Sequence, residues 1–249
     1  MKIKNLLSST SHRPWPIPKT RWKYYQEWNK ALFLHWKVDS RELRPFIPDA
    51  LAIDFYKDSA WVSLVAFTME RVRPAFLPSF PPVSNFHEVN IRTYVTYNKK
   101  PGVFFLSIEA GSRISSHIAR KLSELPYRYS KMARNKNGFS SIRPDTDERL
   151  DLRYTVSGPL SRKSGLDLWL TERYALFHNT DHSLNEFEIH HMEWPVYDVR
   201  FEDARVHYPA FQKLMDNPPD ITHYSPGVQV IAWDKNPHPL DNPGQAGSY

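Results

Sequence analysis

The feature that most constrains this chain is a series of strand-length runs rich in β-branched and aromatic residues. They cover residues 31–38, 60–69, 88–97, 103–109, 152–156, 187–199 and 228–233. Such runs predict β-strands. The sequence Asn-Lys-Lys-Pro-Gly at 98–102 separates two of them and predicts a hairpin. We therefore expect a mostly antiparallel sheet that is large enough to curl or close around a cavity.

Helices are predicted in fewer places. Residues 40–46 form a short helix that ends before Pro48, residues 115–135 form a longer one with a break at Pro126, and residues 204–215 form a third. Ser164 to Asp167 fits a capping box, so residues 166–170 are alternatively a short helix that leads into a strand. The expected fold class is α+β, with a curled, barrel-like sheet and a few flanking helices.

No internal repeat and no Gly/Ser-rich linker divides the 249 residues, which favours one domain over residues 21–234. Residues 1–20 are polar and contain Pro14, Pro16 and Pro18, which predicts an extended N-terminal arm. Residues 235–249 are rich in proline and glycine, which predicts a loose C-terminal tail.

Composition excludes several function classes. The chain has no cysteine, so disulfides, a thiolate nucleophile and Cys-ligated metals are excluded, and we expect no metal and no other cofactor. No apolar run reaches membrane-spanning length, so we expect a cytoplasmic protein without a membrane partner. The 33 basic and 27 acidic residues are interspersed, which favours a solvated surface over nucleic-acid binding. The sequence leaves open whether the protein forms a homo-oligomer.

The segment from Glu88 to Tyr94 is the most informative local pattern. With a period of two, Glu88, Asn90, Arg92 and Tyr94 share one face of a strand. If this face is solvated, the polar row simply points to water. If the sheet curls, the row supplies a carboxylate, an amide, a guanidinium and a phenol to one cavity, a set suited to binding an anion or a carbonyl group.

Four further residues each have a structural and a functional interpretation. Glu109 ends the next strand and lies either in solvent or inside, where it needs a cation nearby or its pKa rises. His191 alternates with two apolar residues, so it is either a structural core histidine or a catalytic or ligand-binding group. Glu172 and Arg173 stand inside an apolar run, either as an exposed ion pair or as a buried pair that anchors the sheet or a ligand.

Six segments together resemble one known family. They lie at residues 13–16 (RPWP), 34–36 (LHW), 43–48 (LRPFIP), 90–95 (NIRTYV), 170–174 (LTERY) and 189–195 (IHHMEWP). On these segments the chain, from about residue 13 to 233, resembles the uncharacterised bacterial branch of the acetoacetate-decarboxylase-like superfamily. The resemblance implies a barrel-like antiparallel sheet with flanking helices and a central cavity.

True acetoacetate decarboxylases form a Schiff base through a lysine in a Pro-Lys-Lys segment. The corresponding place here is Pro126, Tyr127 and Arg128, so that lysine is not retained. The resemblance instead implies Tyr127 and Arg128 at the cavity, and Lys121 and Lys131 are the nearest other amines.

Strand parity and the resemblance together predict a central cavity that binds a small organic carboxylate or carbonyl compound. Arg92 and Arg128 would hold the anion, Tyr94 and Tyr127 would donate to a carbonyl oxygen, and Glu109 would be the acid or base. Two functions are open: a lyase or isomerase acting on a keto acid without a Schiff-base lysine, and a non-catalytic small-molecule-binding protein. The predicted site residues are Glu88, Asn90, Arg92, Tyr94, Glu109, Tyr127, Arg128, Glu172 and His191.

Overall fold

The computed structural model describes residues 2–240, except for the side chains of residues 119, 122 and 123. The strands are β1 (Tyr24–Val38), β2 (Ala52–Ile53), β3 (Ala60–Pro74), β4 (Phe86–Tyr97), β5 (Lys100–Ala110), β6 (Arg128–Tyr129), β7 (Lys131–Arg134), β8 (Gly138–Ile142), β9 (Arg149–Pro159), β10 (Ala175–Asn179), β11 (Ser183–His191), β12 (Tyr197–His207), β13 (Ile221–Ala232) and β14 (Asn236–Pro239). The helices are α1 (Ile3–Ser8), α2 (Ser40–Leu43), α3 (Pro81–Ser84), α4 (Arg113–Ser123) and α5 (Gly165–Thr171), with 3-10 turns at Arg44–Phe46 and Pro209–Leu214.

Seven of these strands close into a ring. Their order is β11, β10, β5, β4, β3, β1 and β13, and β13 pairs back with β11, where Ile189 lies opposite Ala232. Neighbours in the ring are antiparallel except for β10 and β5. The strands β12, β9, β8 and β7 continue from β13 as a second layer. The fold is therefore α+β with a curled, barrel-like, mostly antiparallel sheet, which confirms the predicted fold class.

Successive side chains of the ring strands point to opposite faces, so they pack into two separate cores, one inside the ring and one outside it. The core inside the ring contains Phe33 of β1 and Tyr94 of β4. The core outside the ring contains their chain neighbours Leu34 and Val95, in one cluster with Phe139 of the second layer. Because both faces of the ring strands are covered, the polar row on β4 does not point to water.

The predicted hairpin is confirmed between β4 and β5. Asn98 and Lys99 take positive φ angles of 49° and 65°, the left-handed conformation that two-residue hairpin turns require. Tyr97 and Lys100 pair on either side of the turn.

A β-bulge interrupts the same hairpin at Leu106. Ile91 pairs with Ser107, but its neighbour Arg92 pairs with Phe105, so Leu106 has no partner. A bulge of one residue exchanges the faces of the side chains on either side of it. Residues of β5 beyond Leu106 therefore have the opposite parity to those before it.

Two predicted helices are confirmed. Residues 40–46 form α2 and the 3-10 turn that follows it. Residues 166–170 lie in α5, where the capping box between Ser164 and Asp167 is formed in both directions. This helix covers one end of the ring with Leu170, which is buried in the inner core.

Other expectations were wrong. The helix predicted over residues 115–135 ends at Ser123, because Glu124 takes a left-handed φ of 60° and Pro126 cannot continue it. The helix predicted over residues 204–215 is the end of β12 followed by a 3-10 turn at Pro209–Leu214. The strand predicted over residues 187–199 is two strands, β11 and β12, separated at Pro195.

The chain ends also differ from expectation. The N-terminal arm is not extended throughout, since Ile3–Ser8 form α1 and Leu6 is buried against Tyr25 and Trp233. Within the predicted tail, Asn236–Pro239 form β14 on the edge of β11. Residues 241–249 of that tail lie outside the described residues.

Of the helices in residues 2–240, none is long and apolar enough to cross a membrane.

Candidate functional site

The ring encloses a cavity of about 470 Å³, a size typical of small-molecule sites. Most of its wall is apolar, with side chains such as Phe33, Val65, Phe67, Met69, Val103 and Phe105. Polar groups on the wall include Glu88, Asn90, Arg92, Tyr127, Thr171, Arg173 and His191.

Strand β4 carries the polar row from the mouth of the cavity to its floor. Phe86, Glu88, Asn90 and Arg92 alternate along the strand and all line the cavity. Phe80, just before the strand, also lines it and is 65% exposed, which places the mouth at the Phe86 end. At about 3.3 Å per residue, Arg92 lies roughly 20 Å further along the strand, at the floor.

Arg92 is a buried cation without a carboxylate partner. Its side chain is held by a long hydrogen bond from Nη2 to the carbonyl oxygen of Leu170 (3.4 Å) and lies 5.7 Å from the ring of Phe33. Its Nε is buried and has no hydrogen-bond partner, and Arg92 takes part in none of the ion pairs found in residues 2–240. An unpaired buried charge is costly, so this guanidinium is suited to binding an anion.

A second guanidinium, that of Arg173, lies on the same wall. It forms an ion pair with Asp54 at 2.6 Å and lies over the rings of Tyr94 and Trp169. Burial lowers the pKa of Arg173, Asp54 opposes this shift, and the charge of Arg92 lowers it further. Its Nη2 is buried and unpartnered. Two cations thus lie at this end of the cavity, and the carboxylate of Asp54 pairs only with Arg173, which leaves this end positive.

Glu88 lies midway along the polar row and is 2% exposed. Burial raises the pKa of Glu88 to about 7, against the opposing effects of hydrogen bonds from Asn90 and Tyr127 and of the charge of Arg92. Asn90 Nδ2 donates to one carboxylate oxygen at 3.1 Å and the Tyr127 hydroxyl donates to the other at 3.0 Å. A carboxyl group with a pKa near neutrality can both accept and donate a proton at physiological pH.

Tyr94 shares the inner face with this row but does not line the cavity. Its side chain is fully buried, and its hydroxyl donates to the carbonyl oxygen of Leu170 at 2.9 Å and contacts Ser63 Oγ at 2.7 Å. The predicted contact between Tyr94 and a substrate carbonyl is therefore not present. From Ser63 the hydrogen-bonded chain continues beneath the floor through His35 and His223 to Asp167.

Glu109 faces away from the cavity, contrary to expectation. The bulge at Leu106 turns it into the core outside the ring, where Ser130 Oγ donates to it at 2.5 Å and Ser141 Oγ at 3.3 Å. Burial is the largest cause of the raised pKa of Glu109. Because the sheet separates it from the cavity, Glu109 cannot contact a ligand there.

The predicted position of Arg128 at the cavity is also wrong. Its side chain is exposed and does not line the cavity, while its neighbour Tyr127 is buried and does. Tyr127 immediately precedes β6, and successive residues of an extended chain point to opposite sides. Lys121 and Lys131 are exposed as well, and no lysine is among the residues that line the cavity within the described chain.

His191 lines the cavity, as the parity of β11 predicted. Its Nδ1 donates to the carbonyl oxygen of Met192 at 2.8 Å, and burial lowers its pKa, so the ring is neutral. Glu172 lies off the cavity wall, where it accepts hydrogen bonds from the Lys163 ammonium and the Tyr174 hydroxyl. Glu172 therefore anchors the segment after α5 and does not pair with Arg173.

The sequence reasoning missed Arg173 and Thr171 as cavity residues. The available signal was the pair of charged residues inside an apolar run, but parity could not show which of the two turns inward.

No three histidine or carboxylate side chains in residues 2–240 are grouped so as to hold a metal ion.

Comparison with known proteins agrees with this architecture. The sequence model of the family DUF2071, described as an uncharacterized conserved protein, matches residues 25–229. The uncharacterized protein YqjF of Bacillus subtilis (strain 168) is 34% identical over 225 residues, covering 87% of this chain and 93% of YqjF.

Solved structures share the fold at low identity. An acetoacetate decarboxylase-like enzyme from Sphingomonas wittichii RW1 is 15% identical with a TM-score of 0.60, covering 92% of this chain and 98% of that one. The enduracididine biosynthesis enzyme MppR, complexed with pyruvate, is 10% identical with a TM-score of 0.60, covering 90% and 93%. This chain belongs to the DUF2071 family, an uncharacterised branch with the acetoacetate-decarboxylase-like fold.

Proposed function

We propose that this protein binds a small organic carboxylate in the ring cavity, with the carboxylate at Arg92 and Arg173. The single observation that carries the proposal is the buried Arg92 guanidinium, which faces an apolar cavity with an unpartnered Nε and no ion pair within the described chain. Arg173 Nη2 is also unpartnered and lies on the same wall. A carboxylate between them would accept the missing hydrogen bonds and compensate the excess charge.

A second function, catalysis on a carbonyl-containing acid, is favoured by Glu88. This carboxyl group has a pKa of about 7 and faces the cavity midway along the row that ends at Arg92. It is suited to removing a proton from the carbon beside a substrate carbonyl and returning it, while Arg92 stabilises the enolate that forms. No lysine is needed for this step. A structural neighbour, MppR, has been solved with pyruvate, which supports an oxo acid as the first candidate.

The binding function is tested by calorimetric titration of pyruvate and butyrate into the protein. We expect Arg92→Met to weaken both by at least about tenfold, because a hydrogen bond to a charged group contributes about 1.5–3 kcal/mol. Arg128→Met is the matched control, since it removes one positive charge outside the cavity, and it should bind as the unchanged protein does. Equal affinities in Arg92→Met and the unchanged protein would refute the proposal.

The catalytic function is tested separately by proton NMR of pyruvate in D₂O. Enzymatic exchange of the methyl protons should depend on Glu88 and be lost in Glu88→Gln. Glu109→Gln is the matched control because this carboxyl group lies on the other side of the sheet. Binding without any exchange would favour the non-catalytic function, and exchange that survives in Glu88→Gln would exclude Glu88 as the base.

A further inference from the structure

The cavity is larger than a short oxo acid requires. At about 30 Å³ per non-hydrogen atom, the value for water in the liquid, 470 Å³ holds on the order of fifteen such atoms. An acid as short as pyruvate would leave more than half of that volume unfilled, and an unfilled apolar wall gains no contact energy. The volume therefore indicates a ligand with a larger body than its carboxylate group.

The wall between Arg92 and the mouth determines the chemistry of that body. The residues that face Glu88 and Phe86 across the neighbouring strand are Phe67 and Met69, and Val65 faces Asn90. All three belong to the apolar inner core and line the cavity. This apolar β3 side of the wall binds hydrocarbon, chain or ring. The polar groups beside it on β4, Glu88 and Asn90, hydrogen-bond to each other.

The apolar lining continues onto the outer surface at the mouth. Leu77, Phe80 and Ile118 line the cavity and are 58%, 65% and 40% exposed. Exposed apolar side chains clustered at the entrance of an apolar cavity indicate a binding surface. Their continuity with the wall matches them to the far end of a ligand whose carboxylate is at the floor.

We infer that the ligand is an amphiphilic monocarboxylate, with an apolar chain or ring system that runs from Arg92 along the apolar side chains of β3 to the rim formed by Leu77, Phe80 and Ile118. This inference rests on the proposed carboxylate site and specifies its substrate class. The charged group lies at the buried end, and the apolar body fills the cavity behind it.

The test is calorimetric titration of straight-chain monocarboxylates from butyrate to dodecanoate, each kept below its micellar concentration. Affinity should rise about fourfold for each added methylene group, the change that burial of about 0.8 kcal/mol per methylene produces. The increase should stop once the chain reaches the rim. Equal affinities for butyrate and dodecanoate would overturn the inference.

Two exposed phenylalanines provide matched variants that do not disturb the core. Phe80→Ser should weaken dodecanoate roughly fivefold, through the apolar contact it removes, and leave butyrate unchanged. Phe76 is 68% exposed but does not line the cavity, so Phe76→Ser should change neither affinity. If both variants instead convert a dimer to a monomer in sedimentation, with no effect on dodecanoate, the rim is a self-association surface and the inference is wrong.

The two proposals fail differently. If the carboxylate site is wrong, Arg92→Met will not weaken binding at any chain length. If only the inferred apolar body of the ligand is wrong, binding will depend on Arg92 but not on the chain length of the acid.

Discussion

Arg92 and Tyr94 converge on one acceptor, the carbonyl oxygen of Leu170, with Nη2 of Arg92 at 3.4 Å and the Tyr94 hydroxyl at 2.9 Å. The tyrosine makes the shorter contact and is fully buried, so the arginine is the weaker and more replaceable donor. A carboxylate at the floor can therefore draw the guanidinium away from Leu170 without leaving that carbonyl unpaired.

Arg92→Met should stabilise the ligand-free protein by about 1–4 kcal/mol, because it replaces a desolvated, unpaired cation with an apolar side chain of similar length. The free energy of unfolding in urea measures this change. The unchanged protein should instead gain about 2.7 kcal/mol when ligand is present at a hundredfold excess over Kd, a gain that the variant loses. A less stable ligand-free variant would show that Arg92 has a structural partner.

Glu88 should make stability depend on pH. Its pKa is about 7 in the folded protein and ordinary in the unfolded chain, so the carboxyl group is neutral in both states at low pH. As pH rises from about 4.5 to 7, the unfolded chain ionises first, and the folded state loses about 3 kcal/mol of relative stability. Glu88→Gln should remove this component from urea unfolding measured across that range. Parallel pH profiles of the two proteins would contradict the raised pKa.

Tyr94→Phe should cost about 2 kcal/mol of unfolding free energy, since it deletes two buried hydrogen bonds, those with the Leu170 carbonyl and Ser63 Oγ, and preserves packing. Carboxylate affinity should change by less than about threefold, because the hydroxyl lies beneath the cavity floor. A tenfold loss of affinity at unchanged stability would place the Tyr94 hydroxyl on the ligand, as strand parity alone had suggested.

Borohydride reduction in the presence of pyruvate should leave every lysine unmodified. Lys121 and Lys131 are exposed and do not line the cavity, so neither amine lies beside an oxo acid bound there. Peptide mass mapping after reduction is the measurement. A pyruvate adduct on either lysine would show that the chain retains Schiff-base chemistry.

Strand parity predicted the part of the site that one regular strand carries. Glu88, Asn90 and Arg92 line the cavity together because β4 alternates without interruption between them. Parity failed on β5, where the bulge at Leu106 reverses the direction of Glu109. A bulge depends on how two strands pair, and the residues of one strand do not specify it.

The remaining errors have a similar origin. Arg128 was assigned to the cavity from the resemblance, whereas pairing of β6 with β5 determines its position. The helices predicted over 115–135 and 204–215 followed from local pattern, whereas pairing of β7 with β8 and of β12 with β9 determines those segments. Arg173 was visible as a charge within an apolar run. Its inward direction depends on its ion pair with Asp54, more than a hundred residues away in the chain.

The most direct test is a crystal structure of the protein soaked with 12-bromododecanoate, with the bromine located by anomalous scattering. The account predicts a carboxylate within hydrogen-bond distance of Arg92 and Arg173, and a bromine peak near Phe80 and Leu77 at the mouth. A bromine at the floor beside Arg92, with the carboxylate in solvent, would contradict it, and so would a ligand bound only outside the ring.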